Sequence, residues 1–191
     1  HFFVSIAAVV LAGGASRRLG QLKQLVRLGR ETLLERSVRV AREAGCLPVV
    51  VVLGAAHEQV IAGCSLGDVV TATNEEWEEG MGSSIRLGVH AVRNVAPETE
   101  GVVVMTCDQP AVTVNHLRRL IMSGEVRASR YADRSGVPAF FPKTYFDALT
   151  SLTGDAGARE LLQSSSSEEL PGGELDVDTA DDLKRARELF G

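Results

Sequence analysis

Residues 9–25 read VVLAGGASRRLGQLKQL, in which small apolar residues give way to Gly13, Gly14 and Gly20, the adjacent Arg17 and Arg18, and Lys23. The apolar part belongs to SIAAVVLA (5–12), and LPVVVVLG (47–54), VVTATN (69–74) and GVVVMTCD (101–108) repeat its character. Near-continuous apolar runs of this length are the pattern of strands buried on both faces of a parallel sheet. In an open α/β sheet, ligands sit beyond the carboxyl ends of the strands, so the loop after the first strand faces any substrate. Gly13 and Gly14 let a phosphate approach the backbone, and Arg17, Arg18 and Lys23 supply countercharge; a polyphosphate needs both. The spacing is neither G-x-G-x-x-G nor G-x-x-x-x-G-K-(S/T). An ordinary glycine turn with solvated arginines is the competing reading.

Helical patterns separate the strands. ETLLERSVRVAREAG (31–45) sets Leu34, Val38 and Ala41 on one face, opens with Thr32 and Glu35 as a capping box and closes on Gly45. GSSIRLGVHAVRN (82–94) and TVNHLRRLIMSG (113–124) repeat the theme, so strand and helix alternate and a doubly wound, mostly parallel sheet is predicted. RASRYADRSGVPAFFP (127–142) predicts two shorter strands around a turn, with helices at 143–152 and 154–163, an insertion forming a second cleft wall. SSSSEELPGG (164–173) reads as a mobile polar loop, and residues 174–191 as a strand, a cap at Thr179 and a last amphipathic helix.

The 191 residues predict one domain. A net charge of −5, with no basic tract, argues against nucleic acid and against a membrane-surface helix. The apolar N-terminal run is too short to span a bilayer and has no basic flank, and it reads as a strand rather than a signal or anchor. Cys46, Cys64 and Cys107 are odd in number and widely spaced, which predicts buried thiols in a reducing cytoplasm rather than disulfides or zinc ligands.

Asp108 ends a hydrophobic strand just before Pro110, so its carboxylate projects into the crevice that holds the glycine loop. It reads as a Mg²⁺ ligand or as the cap of the next turn. Asp176 and Asp178 alternate on one extended face, and either supplies a second carboxylate; Thr179 with Asp182 caps the final helix. Gly82, Ser83 and Ser84 open a helix with backbone donors and small side chains suited to a flat base, or simply cap it. Trp77 reads equally as core or lid. His57, His90 and His116 have no partners at ligand spacing, and Cys107 has no neighbouring histidine to activate it, so packing is its expected role.

LAGGASRRLGQLK (11–23) resembles the L-A-(A/G)-G-x-S-x-R-(M/L)-G-x-x-K pattern of the MobA-like nucleotidyltransferases. The resemblance extends over nearly the whole chain. NEEWEEGMGSSI (74–85) is similar to a segment that contacts base and ribose in that family, TCDQP (106–110) to its metal-binding turn, and LDVDTADDL (175–183) to an element of the molybdenum cofactor cytidylyltransferases. The resemblance implies a Mg²⁺-dependent transfer of CMP from CTP to a molybdopterin-type cofactor. In it Leu11, Ala12, Gly13, Gly14, Ser16, Arg17, Arg18, Lys23, Gly82, Ser83 and Ser84 bind nucleotide; Lys23, Arg18 and Asp108 are catalytic; and Asp108 with Asp176 or Asp178 holds the metal. SGVPAFFP (135–142) is similar to a G-H-P-(I/V)-L-(F/V) loop, with Val137 where relatives carry histidine; GDAGAR (154–159) is similar to G-D-x-G-(A/F)-R. These imply an acceptor wall of Gly136, Val137, Pro138 and Arg159, and with it a nucleotide-binding half (1–112) and an acceptor-binding half (113–191) of the one domain. Alternatives are guanylyl transfer from GTP to the same cofactor, nucleotidyl transfer to a sugar or polyol phosphate, or a non-catalytic protein escorting the cofactor to a molybdenum hydroxylase.

Overall fold

A computed structural model describes residues 4–154 and 157–191. The four apolar runs form β1 (Ile6–Ala12), β4 (Val49–Leu53), β5 (Val70–Thr73) and β6 (Gly101–Thr106), all mutually parallel, with β2 (Arg27–Leu28) and β3 (Glu31–Thr32) forming a small separate hairpin. Helices α1 (Leu33–Glu43), α2 (His57–Gly63) and α3 (Met81–Val95) lie between them, and α4 (Val114–Met122) follows β6. The hairpin β7 (Arg127–Tyr131) and β8 (Arg134–Pro142) joins the same sheet, β8 running antiparallel to β6; α5 (Phe146–Thr150) and α6 (Arg159–Leu162) follow. With β9 (Ser166–Glu169) the sheet has seven strands in the order β5-β4-β1-β6-β8-β7-β9, and α7 (Ala180–Phe190) closes the chain.

The period-2 alternation of β1 divides the core. Ala8 and Val10 pack with Leu34, Val38 and Ala41 of α1 and Leu117 and Leu120 of α4. Ala7, Val9 and Leu11 pack on the other face with Ile85, Val89 and Val92 of α3 and Phe146 and Leu149 of α5. Every β1 residue is buried, which is why its sequence is continuous rather than alternating in polarity. Phe141 and Phe146 are among the largest fully buried side chains, and truncating either to Ala removes about 3–5 kcal/mol. A third cluster matters for the site: Leu183 and Ala186 of α7 and Val177 pack with Val26, Leu28 and Leu33, tying the C-terminal helix to the segment that follows the glycine loop.

The capping boxes at Thr32–Glu35 and Thr179–Asp182 form as their spacing predicts. Two expectations are corrected. Residues 166–169 are not loop but β9, which pairs in parallel with β7; Arg127 and Arg119 neutralise Glu168 at 2.7 and 3.0 Å, so a polar, serine-rich edge strand is held by ion pairs that hydropathy does not register. Residues 174–178 are not a strand but a turn residue and irregular chain, because their docking partner is the segment just past β6 rather than a sheet edge: Val177 N–H donates to the Asp108 carbonyl at 2.9 Å.

Candidate active site

The loop after β1 turns over the carboxyl end of the sheet, where Gly13 crosses Gly54 at the end of β4. A Cβ on Gly54 would stand 2.9 Å from Gly13 Cα and closer still to its carbonyl oxygen, so only glycine fits there. Sequence reading missed Gly54; its signal is a glycine ending a strand run. Ser16 adopts the left-handed region (φ 54°), and its Oγ accepts a hydrogen bond from the Lys23 backbone N–H at 3.1 Å, folding the loop back on itself. Gln24, also missed, is buried and donates from Nε2 to the carbonyls of Ala12 (2.9 Å) and Gly14 (3.1 Å), which fixes the loop from beneath. The resulting cavity of about 270 Å³ is lined by Leu11, Ala12, Gly13, Gly14, Lys23, Ser84, Trp77 and Asp108.

Lys23 Nζ lies between two carboxylates, donating to Asp108 Oδ2 at 3.0 Å and Asp178 Oδ1 at 3.2 Å. Burial alone would lower its pKa; the charge and hydrogen bond of Asp108, aided by Asp178, outweigh this and hold it above the ordinary lysine value, so it is a fixed cation. Thr106 Oγ1 donates to the other Asp108 oxygen at 2.7 Å, and Arg18 donates to the second oxygen of Asp178. Both oxygens of Asp178 are therefore committed to cations of the glycine loop. Asp176 is not so paired. The residue is exposed at the cavity mouth, but its carboxylate is turned partly out of solvent, and this desolvation together with the Asp108 charge pushes it above the ordinary carboxylate range. Burial, with Asp108, pushes the Cys107 thiol up to about 12, so it carries no thiolate and packs, as expected.

The start of α3 divides its tasks. Ser84 faces the cavity, while Ser83 donates to the Gly80 carbonyl at 2.8 Å, and both Oγ atoms accept from buried Asn74 Nδ2 at 2.9 and 3.0 Å. Gly82 gives its N–H to the Gly154 carbonyl at 3.1 Å, and a Cβ there would lie 2.8 Å from that oxygen. Gly82 and Ser83 thus clamp neighbouring loops and do not face the cavity. Arg17 is exposed and does not line it either. Trp77 does line it, on the turn that Asn74 pins.

A second cavity of about 290 Å³ shares Asp108, Thr106 and Met81 with the first and is walled by Gly136, Val137, Arg134, Tyr131, Arg159 and Asp176. Two hydroxyls hold its loop through consecutive carbonyls: Tyr131 donates to Val137 O at 2.8 Å and Ser129 to Pro138 O at 2.6 Å. Pro138 is buried behind the wall rather than on it. Because the Ser129 proton goes to Pro138, Ser129 accepts from buried His116 Nε2 at 2.8 Å, leaving His116 Nδ1 as a buried acceptor without a partner among the described residues. Asp155 and Ala156 of the GDAGAR segment lie outside the described residues.

Residues 8–170 match the MobA-like NTP transferase domain. The chain belongs to the MobA-like family. It is 32% identical to the nicotine blue oxidoreductase of Paenarthrobacter nicotinovorans, over 94% of this chain and 95% of that protein. It is 37% identical to a probable molybdenum cofactor guanylyltransferase of Opitutus terrae, over 68% of this chain and 62% of that one. Among solved structures, Rv0371c of Mycobacterium tuberculosis H37Rv superposes with a TM-score of 0.84 at 37% identity, covering 98% of this chain and all of that one, and it has also been solved with manganese.

This MobA-like chain is a nucleotidyltransferase, as the resemblance of its glycine loop implies, on the doubly wound, mostly parallel sheet that the alternation of its strands and helices predicts. Of the residues expected at the nucleotide, Leu11, Ala12, Gly13, Gly14, Lys23 and Ser84 meet in the first cavity; Gly136, Val137 and Arg159 meet in the second. Among the described residues, no helix of this MobA-like transferase is long and apolar enough to cross a membrane.

Proposed function

We propose that the chain transfers CMP from CTP to the terminal phosphate of a molybdopterin-type cofactor, with Mg²⁺ and with release of pyrophosphate. The observation that carries this reading is the position of Asp108 on the wall common to both cavities, with the fixed cation Lys23 on one side and Asp176 on the other. An oxygen of the acceptor phosphate forms a bond to the α-phosphorus, the bond from that phosphorus to the β-bridging oxygen breaks, and its electrons leave with pyrophosphate. No covalent enzyme intermediate is needed; the protein positions the two reactants and stabilises charge.

The glycine loop receives the triphosphate, where a Cβ on Gly14 would meet only Lys23 Cε, at 3.6 Å, so the space above it is open to a ligand. Lys23 moves its hydrogen bonds from Asp108 to the phosphates, while Arg18 retains Asp178 and thereby the C-terminal segment. The donor set fits a hard divalent cation: Asp108 and Asp176 offer carboxylate oxygens to a common cavity, and Mg²⁺ binds through one or two carboxylates plus phosphates and water. Asp176 rather than Asp178 is the second ligand in this reading, because Asp176 shares the wall of the second cavity with Asp108, whereas Asp178 lines neither cavity and is tied to Arg18. When bound, the cation neutralises charge developing on the phosphates. The manganese complex of Rv0371c supports a divalent site in this family.

The choice of CTP rests on the resemblance of DVDT (176–179) to the cytidylyl branch. Guanylyl transfer is the second reading, favoured by the Opitutus relative's name and by the doubled glycine of LAGG. Calorimetry with Mg²⁺ and each of CTP, GTP, ATP and UTP decides between them. A site matched to one base leaves buried polar groups unpaired with another, so the preferred nucleotide is expected to bind at least tenfold more tightly; a GTP preference overturns the cytidylyl reading. Binding of CTP with no pyrophosphate released in the presence of molybdopterin points instead to an accessory protein serving a molybdenum hydroxylase.

A further inference from the structure

We propose that Arg134, laid against the ring of Tyr131, receives the anionic group of the acceptor; this rests on the reading of the second cavity as the acceptor site. Arg134 opens β8 and stands directly opposite Tyr131 in the β7–β8 pairing, across a two-residue turn whose members Ala132 and Asp133 both have positive φ (49° and 56°). That is the sense of turn that matches the twist of hairpin strands. The guanidinium carbon lies 5.7 Å from the Tyr131 ring centroid, and the far end of the ring is anchored by the hydroxyl's hydrogen bond to Val137 O at 2.8 Å. Register, ring and hydroxyl together fix the direction in which Arg134 reaches.

A guanidinium stacked on an aromatic face keeps its in-plane N–H edge available for a phosphate or carboxylate. The other arginines of this hairpin spend theirs internally: Arg127 pairs with Glu168 at 2.7 Å and Arg130 with Glu169 at 3.7 Å. Arg134 has no ion-pair partner among the described residues, and it lines the cavity with Arg159, Asp108 and Asp176. A phosphorylated acceptor approaching two carboxylates is repelled unless cations flank its path. Arg134 and Arg159 are placed to do this, and Arg134 is the one whose orientation the fold sets through an aromatic ring. The sequence offers little signal for it, since ADRSG (132–136) reads as a turn.

The test compares Arg134→Gln, Arg134→Lys, Tyr131→Phe and Tyr131→Leu with wild type. Two probes are read: molybdopterin in the transfer assay with CTP, and inorganic phosphate binding with Mg²⁺ and a non-hydrolysable CTP analogue filling the first cavity. Arg134→Gln is expected to raise the molybdopterin KM tenfold or more and weaken phosphate binding similarly, with the KM for CTP and the Tm unchanged. Arg134→Lys recovers only part of this, because it restores charge without the planar fork of donors; Tyr131→Phe keeps the ring and tracks wild type more closely than Tyr131→Leu. A general structural role would instead move Tm and CTP affinity together. If wild type accepts no molybdopterin yet binds phosphate in an Arg134-dependent way, the molybdopterin reading fails and this one stands. Phosphate binding equal in wild type and Arg134→Gln, or undetectable in both, overturns it.

Discussion

The two cavities that meet at Asp108 are built in opposite ways. The first takes its floor from consecutive residues 11–15 with Lys23 and Gln24, so a short stretch of chain carries most of its chemistry. The second is assembled from the β7–β8 hairpin, held by the pairing of β8 with β6, from the start of α6, packed on the same sheet face, and from Asp176, whose segment is docked by Val177 N–H on Asp108 O and by Gln109 Nε2 donating to Gly173 O at 3.1 Å. A contiguous site tolerates loss of distant packing and depends on backbone shape. An assembled one depends on docking contacts that carry no recognisable motif.

Removing the carboxylate common to both should be the most damaging change. Asp108→Ala is expected to lower kcat on the order of a thousandfold, measured as pyrophosphate release at saturating Mg²⁺, because it takes away the proposed metal ligand and leaves Lys23 with Asp178 alone. Near-normal turnover would remove Asp108 from the mechanism. Gly54→Ala attacks the first cavity only, by forcing the backbone of Gly13 outward; nucleotide affinity should fall by about a hundredfold, with a stability loss of about 1–3 kcal/mol from overpacking. Calorimetric titration of CTP beside a thermal melt separates the two effects.

Arg159→Ala attacks the second cavity only, and transfer assays should show the molybdopterin KM raised about tenfold with CTP binding intact. Acid titration sharpens the contrast further, since His116 supports the acceptor loop and not the glycine loop. Burial, with the nearby Arg119 charge, lowers its pKa to about 4, whereas in the unfolded chain it titrates near the ordinary 6.5. Between those values the unfolded chain binds the extra proton, so stability is complete above pH 6.5 and falls as pH drops towards 4, by at most about 3 kcal/mol. Denaturant melts of His116→Leu should start lower, having lost the bond to Ser129, but show a flatter acid limb; an unchanged limb excludes His116 as its source. The smallest expected effect is that of Val137→His. It places a second titratable group on the acceptor wall beside Asp176 and should add to the pH dependence of the molybdopterin KM between about 5 and 8 a component that wild type lacks.

The same contrast explains what could be read from the sequence. β1, β4, β5 and β6 were legible because burial on both faces leaves only apolar residues, and the caps at Thr32 and Thr179 because their hydrogen bonds span three residues. β9 was not, since Arg119 and Arg127 stabilise it from distant segments through Glu168, and neither was the division of labour at α3, where Asn74 binds Ser83 and Ser84 alike. Asp176 and Asp178 are equivalent in sequence; only the fold of the glycine loop brings Arg18 and Lys23 to one of them.

The most direct test follows the fate of the α-phosphate. CTP labelled at that position is incubated with the protein, Mg²⁺ and molybdopterin, and the label is traced while pyrophosphate is counted. The account predicts label on molybdopterin in one-to-one ratio with pyrophosphate, abolished by Asp108→Ala and at least tenfold slower with labelled GTP. Label remaining on free nucleotide with wild-type protein, or appearing on molybdopterin faster from GTP, would contradict it.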